Sequence, residues 1–344
     1  MAREFSSTGA RPPGRWWWAI VAAGAAAIVS LSTLADIALQ LDLSIIFIFA
    51  MLALSMGFLW GYAGILSLGQ TIFFGLGGYG YAILALNTGA TGLSFAGAIL
   101  VAAAFAALLG YFMIYGRISD IYLSVITLVV TLIFEKTIRS TSGPEYVIGS
   151  VRLNGQNGIP GVPSPSLPWL DGAPLSIEDM FRISAGAMLV GYVGLRLLLT
   201  TRFGRVIVGI RENERRMELL GYDTRRYRLG AFVLSGAVAG LSGVLYALWG
   251  SFVAPEMFNL NQAAQVVIWV IVGGRSTLIG PVFGTGAVQY LSNWLGTAGV
   301  GQVTLVLGLV LMMFVLVFPR GLLPTIGDGL GALLRRIRTR RGEG

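Results

Sequence analysis

Apolar runs, most of them near the length a helix needs to cross a bilayer, fill most of this chain and are parted by short polar stretches. A membrane helix takes about 20 mostly apolar residues. On that measure the pattern predicts spans at 16–35, 43–61, 65–86, 93–115, 118–138, 182–199, 229–250, 262–274, 279–296 and 302–319. The expected fold class is all-α: a polytopic integral membrane protein with about ten transmembrane helices. Two of these spans are unusual. The stretch from Gly61 to Gly80 carries glycines at 61, 64, 69, 75, 77, 78 and 80. Glycine weakens a helix but permits close helix packing or a broken helix lining a cavity. The span at 262–274 is short and ends at Gly273-Gly274-Arg275.

The polar segments are as informative as the runs between them. Residues 202–228 hold eight arginines against Glu212, Glu214, Glu218 and Asp223, a local charge of +4. Such a segment cannot sit in hydrocarbon and belongs in water on one face of the membrane. Its interleaved apolar residues predict structure within it. A short helix is expected from Glu212 to Leu220, with acids near its start, where the helix dipole favours them, and Gly221 as its stop. Asp223 stands as N-cap of the next span. Met217, Leu219 and Leu220 give the short helix an apolar face, either for docking a soluble partner or for packing on neighbouring span ends. Residues 140–180 are rich in glycine, proline and polar groups and read as turns. A loop of that length is usually functional or disordered. Tyr146 and Trp169 within it are partner anchors or interfacial aromatics.

Composition agrees with the membrane reading. Hydrophobic residues make up 55% of the 344 and charged residues 12%, against about 25% charged in a soluble domain. Cysteine and histidine are absent, which removes disulfides, thiolate nucleophiles, Cys/His zinc sites and any imidazole base. No cofactor is expected. The net charge of +8 does not call for nucleic acid, because the arginines lie where topology wants them. With the N-terminus inside and an even number of spans before the island, 20 of the 24 basic residues fall on or near the cytoplasmic side. Lys136, Arg139, Arg152 and Arg182 remain outside. The expected organisation is a cytoplasmic segment at 1–15, a transmembrane domain at 16–324 and a basic cytoplasmic tail at 325–344. The external loop is 140–180 and the cytoplasmic segment 200–228. Arg3, Arg11 and Arg15 before the first run imitate a secretory signal, but an uncleaved first span with Trp16–Trp18 at the interface fits a many-span chain. The tail alternates Ile326, Leu330, Leu333 and Leu334 with arginines. It is either a helix on the anionic leaflet or a solvated tail that fixes topology.

The chain carries no evident means of powering transport. Its one lysine, Lys136, sits in IFEKTIR without a glycine loop, so ATP cannot be held in the P-loop manner. Intramembrane acids are scarce, and Glu135 with Lys136 reads as a neutralised interfacial pair. Any energy must come from another protein.

Five ordered blocks then carry a resemblance: GYAGILSLGQTIFFGLGGYGYAI, NGQNGIPG, IRENERRMELLGYDTRRYRLGAFVLSGAVAGLSGVLYA, VIWVIVGGRSTLIGPVFGTG and FPRGLLP. From about Leu43 to Pro324 the chain resembles the LivM-type permeases of ABC importers for branched-chain amino acids, and their relatives in urea and short-amide importers. The resemblance implies that the arginine island couples to an ATPase through Glu212, Asn213, Glu214, Met217, Leu220 and Gly221, although the family often has a small residue where Met217 stands. It implies a homologous second permease, two cytoplasmic ATP-binding subunits and an extracytoplasmic solute-binding protein, all at a bacterial inner membrane. The chain itself would be a transport subunit and not an enzyme. The VIWVIVGGRSTLIG block is closer to the urea branch.

Candidate groups along a solute path are Ser67, Gln70 and Thr71 in the glycine-rich span and Gln265 and Trp269 in the short one, with Gln289 and Asn293 beyond. Uncharged donors and acceptors suit a small polar solute. Hydrogen bonding between helices is the competing reading. A passive channel or facilitator is the alternative function. A membrane scaffold leaves the polar, glycine-rich spans without a task.

Overall fold

A computed structural model describes residues 14–165 and 175–298, with a few isolated positions between 306 and 325. Eleven α-helices occur among them: α1 (Arg15–Leu34), α2 (Ile37–Ala63), α3 (Gln70–Thr88), α4 (Thr91–Tyr115), α5 (Asp120–Ser140), α6 (Ile177–Thr200), α7 (Arg202–Glu212), α8 (Glu214–Leu219), α9 (Thr224–Gly250), α10 (Leu260–Gly273) and α11 (Gly280–Thr297). Six of these, α1, α2, α4, α5, α6 and α9, are long and apolar enough to cross a membrane. Helices α3 and α11, at the third and ninth expected spans, are not among those six. Helix α10 has only 14 residues. The tenth expected span and the basic tail lie outside the described residues, as does Trp169.

Helix α2 is apolar on all sides, and the structure surrounds it accordingly: α9, α6, α11 and α10 all pack on it. Helices α3, α4 and α9 form the tightest group. Their contact depends on missing side chains. A Cβ on Gly77 would overlap the Gly240 carbonyl, and one on Gly243 would overlap the Phe74 carbonyl, so α3 and α9 meet backbone to backbone. Serines on α9 add polar ties, with the Ser242 hydroxyl donating to the Ile48 carbonyl at 2.6 Å and Ser235 to the Ser55 carbonyl at 2.8 Å. Helix α1 touches mainly α6.

The glycine-rich span is broken rather than continuous. Expected over 65–86, it starts at Gln70, because residues 64–69 are non-helical and largely buried. Gly64 ends α2 in the left-handed region (φ 74°). Gln70 bonds to Ser55, eight residues before the end of α2, and to Ser235, eleven residues into α9. At 1.5 Å per residue, α3 therefore begins roughly 12–16 Å beneath the surface where those helices end and begin. Irregular backbone at that depth survives only when protein covers it, and here α5 does so. The Ser124 hydroxyl lies 2.8 Å from the Leu66 carbonyl, and a Cβ on Gly69 would come within 2.5 Å of the Thr127 carbonyl.

Two faces emerge from the contacts. One gathers the end of α2, the α4–α5 turn, α7, α8 and Arg275. Arg211 bonds to the Gly61 carbonyl, Arg228 to Asp120, and the Arg275 guanidinium lies over Trp60 at 5.4 Å. The opposite face carries the long loop, and part of it is folded. Val147–Ile148 (β1) pairs with Val151–Arg152 (β2). Ile159–Pro160 (β3) pairs antiparallel with Phe252–Val253 (β4), just beyond α9. Asn87 accepts from the Ser150 amide at 2.7 Å, and the Tyr81 hydroxyl donates to the Pro163 carbonyl at 2.8 Å. The Glu135–Lys136 pair does not form as expected. Neighbours in a helix point apart, whereas residues four apart share a face, and Glu135 pairs with Arg139 at 2.9 Å; Arg139 also reaches Glu256 at 3.0 Å.

Candidate functional site

The arginine island folds as two helices and a cap, not as the single short helix expected from Glu212 to Leu220. Thr201 caps α7, which runs to Glu212. Asn213 then adopts an extended conformation, and its side chain accepts from the Arg216 amide at 2.9 Å, starting α8. Asn is among the favoured residues at an N-cap. The far end of α8 closes as a Schellman motif: Gly221 (φ 86°) donates to Glu218 at 2.9 Å and Tyr222 to Met217 at 3.1 Å. Asp223 caps α9 as expected, accepting from the Arg226 amide at 3.3 Å. Both ends of a six-residue helix are thus satisfied locally.

The apolar residues of α8 divide between two directions. Met217 turns inward to α7, where its Sδ lies 2.8 Å from the point a Cβ on Gly209 would take. Leu219 and Leu220 turn outward, 83% and 66% exposed, beside Tyr222 at 41%. Met217 therefore packs, and the two leucines and the tyrosine form an uncovered apolar tip. Glu214 is held by Arg228 at 2.9 Å, and Glu218 accepts from the Thr224 hydroxyl at 3.2 Å. Glu212 sits apart from the tip, paired with Arg211 in a cleft of about 270 Å³ that Trp60 and Arg275 also line. A larger cleft of about 540 Å³ separates α8 from the α4–α5 turn, lined by Arg117, Asp120, Arg215, Glu218 and Arg225 among others.

The second candidate region lies around the break. Gln70 is buried at the junction of three helices. Its amide donates to the Ser235 hydroxyl at 3.0 Å, and its carbonyl oxygen lies 3.4 Å from the Ser55 hydroxyl. That is the interhelical role weighed for it above. The Ser67 and Thr71 hydroxyls and the Trp269 indole N–H are buried without a hydrogen-bond partner among the described residues. An unpartnered buried polar group costs free energy. Gln265, one turn before Trp269, is half-buried; on α11, Gln289 is half-buried and Asn293 exposed. The structure brings Ser67, Gln70 and Thr71 together and leaves Asn293 on the outside.

An aromatic cluster that joins Trp269 to three rings without a signal of their own in the sequence fills the space between α2, α3, α9 and α10. Phe49 meets Trp269 at 5.2 Å, Tyr246 at 5.8 Å and Phe74 at 6.3 Å, while Phe74 meets Tyr246 at 5.3 Å. Nothing in a one-dimensional pattern distinguishes these rings from ordinary apolar filling.

A bundle that includes six helices long and apolar enough to cross a membrane, packed around a buried, non-helical segment, defines a multi-span membrane protein. The model of the family described as branched-chain amino acid transport system / permease component matches residues 41–317, and the chain belongs to that family. It is 27% identical over 305 residues to the high-affinity branched-chain amino acid transport system permease protein LivM of Escherichia coli (strain K12), covering 80% of this chain and 68% of that one. It is 28% identical over 185 residues to the inner membrane ABC transporter permease protein YjfF of the same organism, covering 51% and 56%. The autoinducer 2 import system permease protein LsrC of Yersinia pseudotuberculosis (serotype O:1b, strain IP 31758) is 27% identical over 133 residues, covering 34% and 37%. No solved structure matches the chain.

Proposed function

We propose that this chain is the transmembrane subunit of an ATP-driven importer that takes a small polar solute, a branched-chain amino acid before urea or a short amide, from a binding protein into the cytoplasm. The observation that carries the reading is α8. A helix of six residues, capped at both ends and presenting Leu219, Leu220 and Tyr222 to water, is an expensive surface to leave uncovered, and a soluble ATPase subunit is the partner that family membership supplies. The chain has no nucleotide loop of its own. The full bundle has about ten spans, with both termini and the α7–α8 face in the cytoplasm and the β1–β4 face outside. A second permease and two ATPase subunits complete the assembly.

Ser67, Thr71 and Trp269 are proposed to face the solute path, because their buried polar atoms lack partners among the described residues. Gln70 is left out of that role, since its side chain holds helices together; Gln265 borders the path from one turn away. The aromatic cluster closes the space between four helices and favours an alternating permease over an open channel. The discriminating experiment reconstitutes the chain alone and with its ATPase and binding-protein partners, using labelled leucine and labelled urea. Uptake that requires all components and ATP supports the importer. Solute flux through the chain alone would establish the facilitator instead.

A further inference from the structure

We propose that Asp120, Ser124 and Arg228 form a positioning relay that joins α8 to the broken segment 64–69, so that movement of the one is delivered to the other. The inference rests on the importer reading above and adds a route to it. Arg228, on the first turns of α9, is 15% exposed at its side chain and holds Glu214 of α8 with one guanidinium nitrogen and Asp120 of α5 with another. The α5 residues 120, 124 and 127 follow helical spacing and share one face. Asp120 meets Arg228, and the Ser124 hydroxyl lies 2.8 Å from both the Asp120 and the Leu66 carbonyls. A hydroxyl has one hydrogen, so that proton is shared between α5 and the break. Three residues on, the Thr127 carbonyl sits where Gly69 alone leaves room for it. One face of α5 thus grips the break at two points, Leu66 and Gly69, and is itself gripped by the arginine that holds α8. Ser67, flanked by those two points, and Thr71, just beyond them, are the groups assigned to the solute path.

The relay separates transport from hydrolysis in a way that a purely architectural ion pair does not. Asp120→Asn leaves Arg228 paired with Glu214, so α8 stays seated on α9 while its link to α5 falls from an ion pair to a weaker neutral hydrogen bond. In the complete complex in proteoliposomes, D120N is expected to bind the ATPase subunits at wild-type stoichiometry and hydrolyse ATP. Its solute uptake per ATP should fall roughly five- to tenfold, the low end of ordinary coupling between sites. Asp120→Glu should restore most of that ratio, and Ser124→Ala, which cuts the next link, should lower it independently of any charge. A D120N complex with the wild-type ratio of uptake to hydrolysis would overturn the relay and leave the importer reading intact. A wild-type chain that binds no ATPase would overturn both.

Discussion

Truncating the tip of α8 offers the sharpest test of how this protein is driven. Leu219 and Leu220 are 83% and 66% exposed, so replacing both with alanine removes almost nothing from the fold itself; surface changes of this kind usually stay within about 0.5 kcal/mol. Burying a leucine fully contributes about 1.5–3 kcal/mol. Together the two side chains offer about one and a half leucines of free surface, and alanine keeps only a small part of it. A partner that covers the tip should lose roughly 2–3 kcal/mol of binding, or about 30- to 140-fold in affinity at 1.4 kcal/mol per decade. The measurement is titration of purified ATPase subunit onto the permease in detergent, alongside thermal unfolding of the permease alone. Affinity within twofold of wild type would refute the docking argument. A permease that melts earlier would show instead that the leucines serve the fold.

Further outcomes follow from the same geometry. Because the natural chain has no cysteine, single cysteines at Leu219 and Tyr146 can be introduced without background. A membrane-impermeant thiol reagent applied to cells should label Tyr146→Cys and spare Leu219→Cys; the reverse pattern would invert the topology. Asn213→Ala removes the cap between α7 and α8, at about 1 kcal/mol, and should reduce uptake several-fold while insertion and expression hold, as judged by membrane yield. Gly243→Ala drives a methyl into the Phe74 carbonyl. The α3–α9 contact must then open at a cost of about 1–3 kcal/mol or more, seen as a lower melting temperature in detergent. Gln70→Leu should lower stability by about 1 kcal/mol, the scale of hydrogen bonds between membrane helices.

The sequence exposed most of the helical layout, because hydrocarbon imposes a length and a polarity that residues report directly. Helices α1, α4 and α5 lie within a few residues of their expected bounds. The break at 64–69 was only half visible. Its glycines stood out, but Ile65, Leu66 and Leu68 are as apolar as any span, and the contacts that hold the non-helical backbone come from Ser124 and Thr127 in a distant part of the chain. Asn213 was equally opaque. Within Arg211-Glu212-Asn213-Glu214 nothing local decides whether Asn continues one helix or begins another; the seat of Met217 on Gly209 accompanies the second choice. Around the candidate path, Ser67 and Thr71 were legible as polar residues among apolar ones, whereas Phe49, Phe74 and Tyr246 matter only through the neighbours the fold gives them.

Helix α9 runs unbroken for 27 residues, about 40 Å. One end is stitched into the folded loop through β4, and the other emerges from the cap that follows α8. A rod fastened at both ends has no internal joint in which to lose a displacement. Whatever seats itself on one aqueous surface and whatever pulls on the other therefore tug on a single shaft, and neither can shift it without the other feeling the load.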